Sequence, residues 1–215
     1  MKKTSPTKRK YDSSRRQTGA AETRQHIMDA TLKLFVERGY AGATIDAIAK
    51  EAGVALKTVY AVFENKRNIL VALLSRSSSS TGEENIPMLE RSGPKAVAQE
   101  RDQRRQIQMF AQVIAGNLEG AAYIAEIIHI AAKTEADVAT LEKKLNEQRW
   151  KNMAYAVKVF SANGTLRVKD EASATETVYT LTSPEVFLLL TRERGLSKEE
   201  YIDWLADILT RALLP

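Results

Sequence analysis

The chain has 215 residues, 44% of them hydrophobic and 27% charged, with a formal net charge of +5 and no cysteine. This composition excludes wholesale disorder and a collagen-like fibre, and the missing thiols exclude disulfides, thiolate nucleophiles and zinc–cysteine sites. No run approaches the ~18–20 consecutive apolar residues of a membrane span, and no apolar stretch follows the basic N-terminus, so neither a transmembrane segment nor a secretory signal is expected.

The charge is uneven. Residues 1–70 carry 14 Lys/Arg against 7 Asp/Glu, whereas residues 71–215 carry 18 against 20. A basic module joined to a near-neutral one suggests that the first meets a polyanion and the second does something else. Within the first, residues 1–20 read as a disordered arm in which Lys2, Lys3, Lys8, Arg9, Lys10, Arg15 and Arg16 face one acid, Asp12. It is either a tail that follows DNA phosphates or a minor groove, or a solvated tail that aids solubility.

Ten glycines and five prolines are few for this length and suggest a mainly helical protein. The first helix is expected from Ala21 to Arg38, with Ile27, Ala30, Leu34 and Phe35 at helical spacing and Gly39 as its stop. Thr44 caps a short second helix, Ile45 to Ala52, with Asp46 in the first turn, and Gly53 ends it. A third helix runs from Leu56 to Phe63, and Asn65 caps a fourth that carries Ile69, Leu70, Leu73 and Leu74. The serine-rich run 75–82 breaks the pattern, and 83–101 suggests short helical pieces around Pro87 and Pro94. Helices follow over Asp102–Asn117, Ala121–Ala132 and Glu135–Phe160, the last stopped by Asn163-Gly164. Another spans Glu171 to Arg192, kinked at Pro184 and ended by Gly195. Ser197 and Glu200 form a capping box for the last helix, Lys198 to Leu213. No strand is expected. The fold class is all-α, about nine helices: a helix-turn-helix domain over 21–80, then a helical bundle over 81–215.

Residues 44–63 carry the function. Two short helices meet at Gly53, where left-handed backbone angles are needed, and Ala49 or Ala52 leaves room for their contact. On the helical wheel of 56–63, Val59 and Phe63 point inward, while Lys57, Thr58 and Ala61 point outward with Leu56 and Tyr60 on one flank. Such an outward face suits a major groove. Thr58 can meet a phosphate or a thymine methyl, Lys57 guanine acceptors or a phosphate, and Tyr60 the sugar-phosphate wall. The Thr44 nitrogen and the next turn can bind a phosphate, and Lys66 can clamp another. A two-helix turn of this length also occurs in ordinary helical cores.

The wider stretch separates the two. Thr23 through Ala30, Leu34-Phe35, Gly39-Tyr40, Ala43-Thr44-Ile45, Ile48-Ala49, Ala52-Gly53-Val54, Thr58-Val59-Tyr60, Phe63, Asn65-Lys66 and Leu70 resemble the DNA-binding domain of the TetR family of bacterial transcriptional regulators. Leu181 to Val186, Arg192 to Ser197, Tyr201 and Trp204-Leu205 are similar to that family's last two helices. Two positions depart from the pattern: Ala55, often Ser, offers no side-chain cap, and Ala61 is often larger or polar.

The resemblance implies a cytoplasmic protein, on the nucleoid when bound, whose homodimer reads a near-palindromic double-stranded operator. It also implies a small-molecule effector among the middle helices, and no membrane. Val178, Leu181, Val186, Leu205 and Leu209 can supply the dimer face, or be ordinary core. Met109, Phe110, Tyr123, Ile127, His129, Trp150, Met153 and Tyr179 are candidates for the cavity lining, although a bundle needs apolar residues at this spacing anyway. Two histidines far apart and no cysteine speak against a metal site, and no cofactor is expected. No Gly-rich phosphate loop or nucleophile–base pair is found, so no catalytic residue is expected and an enzyme is disfavoured. The expectation is a repressor released by its ligand; the alternative is a constitutive, architectural DNA-binding protein without an effector.

Overall fold

The computed structural model describes residues 13–78, 82–83, 86–168 and 170–215, with the side chains of 13–17 left aside. Residues 1–12 of the expected arm lie outside these; from Ser13 onward the chain is helix, not coil. The chain divides into two compact units, Met1–Ile69 and Leu70–Pro215. The division falls inside a helix, not in the serine-rich run.

The first unit holds α1 (Ser13–Gly42), α2 (Ile45–Glu51), α3 (Leu56–Phe63) and the start of α4 (Lys66–Ser77). Gly39, at φ 67° and ψ 177°, breaks α1 where the sequence places a stop. Ile27, Leu34, Phe35, Ile48, Val59 and Phe63 form the unit's core, each at most 3% exposed. Lys33 of α1 reaches Glu51 of α2 at 2.6 Å.

The second unit begins with the end of α4. A 3₁₀ turn (Met88–Glu90) follows, then α5 (Ser92–Gln99), α6 (Gln103–Ala132), α7 (Ala136–Ser161) and α8 (Glu171–Leu181). The chain closes with α9 (Pro184–Leu188), a π turn (Leu189–Glu193) and α10 (Lys198–Leu213). No strand occurs among the described residues. Helix α6 is central, touching α5, α7, α9 and α10. By length and composition alone it could cross a membrane, but here it is the core helix of the bundle. Edge-to-face pairs knit that core: Phe110 with Phe160 at 5.3 Å and Phe187 with Tyr201 at 4.8 Å.

Two boundaries differ from the sequence reading. Asp102–Asn117 and Ala121–Ala132 are one helix of 30 residues that passes straight through Gly120. That glycine is needed for close approach, since a Cβ there would lie 2.3 Å from the Ser77 carbonyl oxygen. Conversely, Pro184 does not kink a long helix; it opens a new one. Ser183 caps it, accepting from the Val186 N–H at 3.2 Å, and proline takes the first turn, where its missing N–H costs nothing. The capping box of α10 is present as read, with both reciprocal bonds formed.

Candidate nucleic-acid interface and ligand cavity

Local signals build the first unit's turn. The Thr44 hydroxyl accepts from the Ala47 N–H at 3.1 Å, Asp46 sits in the first turn of α2, and Lys50 pairs with Asp46 at 2.8 Å. Gly53 takes φ 66°, and the Val54 N–H returns to the Ala49 carbonyl at 3.0 Å. Ala55 then starts α3 without a side-chain cap. Val59 and Phe63 are sealed inward, while Lys57 and Ala61 are exposed, Leu56 is 43% and Tyr60 50% exposed, and Thr58 is half-buried. The outward face is therefore basic, aromatic and small, as a groove-reading helix requires. Arg24 lies over the Phe63 ring at 4.4 Å.

The far end of α3 holds a feature that the sequence does not announce. Glu64 adopts φ 63°, a left-handed angle that a non-glycine residue rarely takes. It lets Asn65 restart the chain, and the Asn65 side chain accepts from the Asn68 N–H at 2.9 Å. Lys66, expected on a phosphate, is half-buried. Its ammonium donates to the Tyr40 carbonyl at 2.7 Å and lies 3.9 Å from that ring's centre. Its place here is a clamp between α4 and the end of α1.

The second unit contains a cavity of about 690 Å³ framed by α6, α7 and α8 with the ends of α4 and α9. Its lining includes Leu118, Ala121, Ala125 and Ile128 of α6 and the polar residues Arg91, Arg149 and Asn152. Of the expected lining, His129 and Tyr179 are there, the His129 Nδ1 lying 2.7 Å from the accepting Glu142 carboxylate across α6 and α7. Trp150 lies instead on an outer groove that shares Glu142, Asn146 and Tyr179 with the cavity, its ring 5.4 Å from that of Tyr179. Phe110 and Met153 line a separate void of about 30 Å³, which meets the cavity at Met88 and Asn152. Met109, Tyr123 and Ile127 line none of these three spaces. The polar residues Arg91, Arg149 and Asn152 are not foreseen, because a lone polar residue on a helix reads as solvated.

The expected dimer face needs correction. Val178, Leu205 and Leu209 are 0% exposed, packed in the subunit's own core, so they present nothing to a second copy. Leu181 and Val186 remain partly exposed.

A capped helix, a glycine turn and a second helix with a basic, aromatic outer face define a helix-turn-helix unit of the DNA-binding kind, here joined to an all-α body with a cavity. Residues 27–73 match the family described as bacterial regulatory proteins, tetR family. Residues 27–73 thus carry a DNA-binding domain of the TetR type. It is 48% identical over 56 residues to the transcriptional regulator SrpR of Pseudomonas putida, a stretch that spans 26% of each chain. Among solved structures, it resembles a transcriptional regulator from Saccharomonospora viridis in complex with choline. That likeness has TM-score 0.66 and 19% identity, over 91% of this chain and 99% of that one. It also resembles NalD, the secondary repressor of the MexAB-OprM multidrug efflux pump in Pseudomonas aeruginosa, with TM-score 0.66 and 18% identity, over 91% and 98%. At such identity these neighbours establish the shared fold alone.

Proposed function

We propose that the protein is a homodimeric transcriptional repressor that leaves its operator when a small molecule fills the cavity. It acts without catalysis or cofactor. The observation that carries this reading is the outer face of α3, where Lys57 and Tyr60 stand in solvent while Val59 and Phe63 close the opposite side. In this reading α3 lies in the major groove of a near-palindromic site, with Lys57 on base edges, Tyr60 on the sugar-phosphate wall and Thr58 beside a phosphate. Leu181, Val186 and the 48%-exposed Leu189 supply apolar surface for pairing of two copies.

Helix α4 begins in the DNA-binding unit, and Leu74 near its end lines the cavity. A ligand that favours one position of this helix shifts the population toward a conformer unfit for the operator. The description of NalD as a repressor and the choline complex of the S. viridis regulator favour repression and a small-molecule response here too.

The test is selection of bound sites from fragmented genomic DNA at about 150 mM salt, with Tyr60→Ala as the control. The expected result is a palindromic motif lost in the variant. Diffuse recovery, equal for both proteins, would favour a constitutive architectural role driven by the basic arm.

A further inference from the structure

Two guanidinium groups that line the cavity pair with no carboxylate among the described residues. Arg91 is buried, 8% exposed, and its Nε and Nη1 donate only to the carbonyls of Ile86 at 3.0 Å and Ser78 at 2.7 Å. Arg149 is half-buried; its Nη1 donates to the Tyr179 carbonyl at 2.7 Å, and its buried Nε has no acceptor. Neither forms an ion pair among the described residues. The carboxylates of the lining are placed otherwise: Glu142 is held by His129 at 2.7 Å, and Glu185 is exposed. Backbone carbonyls orient a guanidinium without neutralising it, and a cation withdrawn from water without a counter-charge is costly. Two such groups lining one cavity therefore make a site that an anion completes, and guanidinium is the group that grips carboxylate or phosphate through paired N–H bonds.

Much of the α6 part of the lining is apolar, with Asn117 and His129 beside it. Leu118, Ala121, Ala125 and Ile128 recur along one face of α6, and none offers a side-chain hydrogen bond. The aromatic faces that would hold a cation are not free either, because Arg149 already covers the Tyr179 ring at 3.4 Å.

We propose that this cavity binds an organic anion with an apolar body, its carboxylate or phosphate head at Arg149 and Arg91 and its body along the α6 face. The class of ligand stands apart from whether binding releases DNA, which rests on the function proposed above.

Dodecanoate, dodecyl phosphate, dodecanol and dodecyltrimethylammonium, each below its micelle threshold, are titrated into the full chain by calorimetry. Both anions are expected to bind about tenfold or more tightly than the alcohol and the cation. The ratio between the two anions identifies the preferred head. Shortening the chain should weaken binding by roughly fourfold per methylene. Arg149→Met should abolish the preference for anions, and Arg149→Lys should restore part of it. Should Arg149→Met fail to fold, the head-group comparison in the unaltered protein decides alone. A cation bound as tightly as the anions, or no binding of either anion, overturns the proposal. Operator binding is read beside each titration. An anion that binds through Arg149 yet leaves the operator complex intact sinks the effector role and spares the ligand class; release by the cation alone does the reverse.

Discussion

The two units of this chain are written in different ways. In the first, each change of direction is set by a residue within a few positions of it: Thr44 caps α2, Gly53 turns the chain at φ 66°, and Asn65 opens α4. In the second, the deciding contacts are distant. Asn152 meets the Met88 sulfur across 64 residues of sequence, and Gly120 is fixed by the Ser77 carbonyl. A surface shaped by local caps can be read from a string of residues, whereas a cavity assembled from several helices cannot.

The largest effect expected from breaking this contrast lies in the second unit. Leu205→Ala should cost about 2–5 kcal/mol of folding stability, because the side chain is 0% exposed within the core. Chemical denaturation at several protein concentrations checks it. A loss that grows on dilution would return Leu205 to the subunit interface. In the first unit, Tyr60→Ala should act oppositely, costing roughly 1–3 kcal/mol of operator binding with little change in stability, as its ring is 50% exposed. Equal losses of stability and binding would mean that Tyr60 supports the fold instead of reading DNA.

The residues explain what was legible. The starts of α4 and α10 follow from Asn65 and from the Ser197–Glu200 box, both local signals. The start of α9 was equally local: Ser183, Pro184 and Glu185 are a helix-start signature that loses out when proline is treated only as a breaker. Gly120 was not legible, since a glycine within a helix costs about 1 kcal/mol and reads as a boundary until its neighbour is known. The same applies to the cavity. Tyr179 and His129 stand out by their chemistry, but Arg149 reads as solvated until Tyr179 is seen beneath it.

A smaller effect sharpens the local half of the comparison. Thr44→Ala removes the side-chain acceptor for the Ala47 N–H and should cost about 1 kcal/mol. Thr44→Ser should keep most of it. Thermal denaturation of the two variants without DNA reads the cap alone, since no phosphate is present, and Thr44→Ser retains the hydroxyl and loses only a methyl group.

The smallest effect tests a distant contact by its charge. Arg192 in the π turn grips Glu126 of α6 with two bonds, 2.7 and 2.8 Å long. Hydrogen bonds from Arg192 hold the Glu126 carboxyl below its ordinary value of 4.5, its positive charge adds to this, and partial burial opposes both. In the unfolded chain the carboxyl keeps its ordinary value and takes up a proton first as the pH falls. The pair therefore stabilises the fold fully above about pH 4.5, and that contribution disappears as the pH drops through the lower folded value. With the two side chains 28% and 50% exposed, solvent screening limits the contribution to about 0.2–1 kcal/mol. Glu126→Gln should thus be less stable than the unaltered protein near neutral pH, with the gap closing in acid. A gap that stays constant through the acid range would show that the contact works by packing and neutral hydrogen bonds, not by charge.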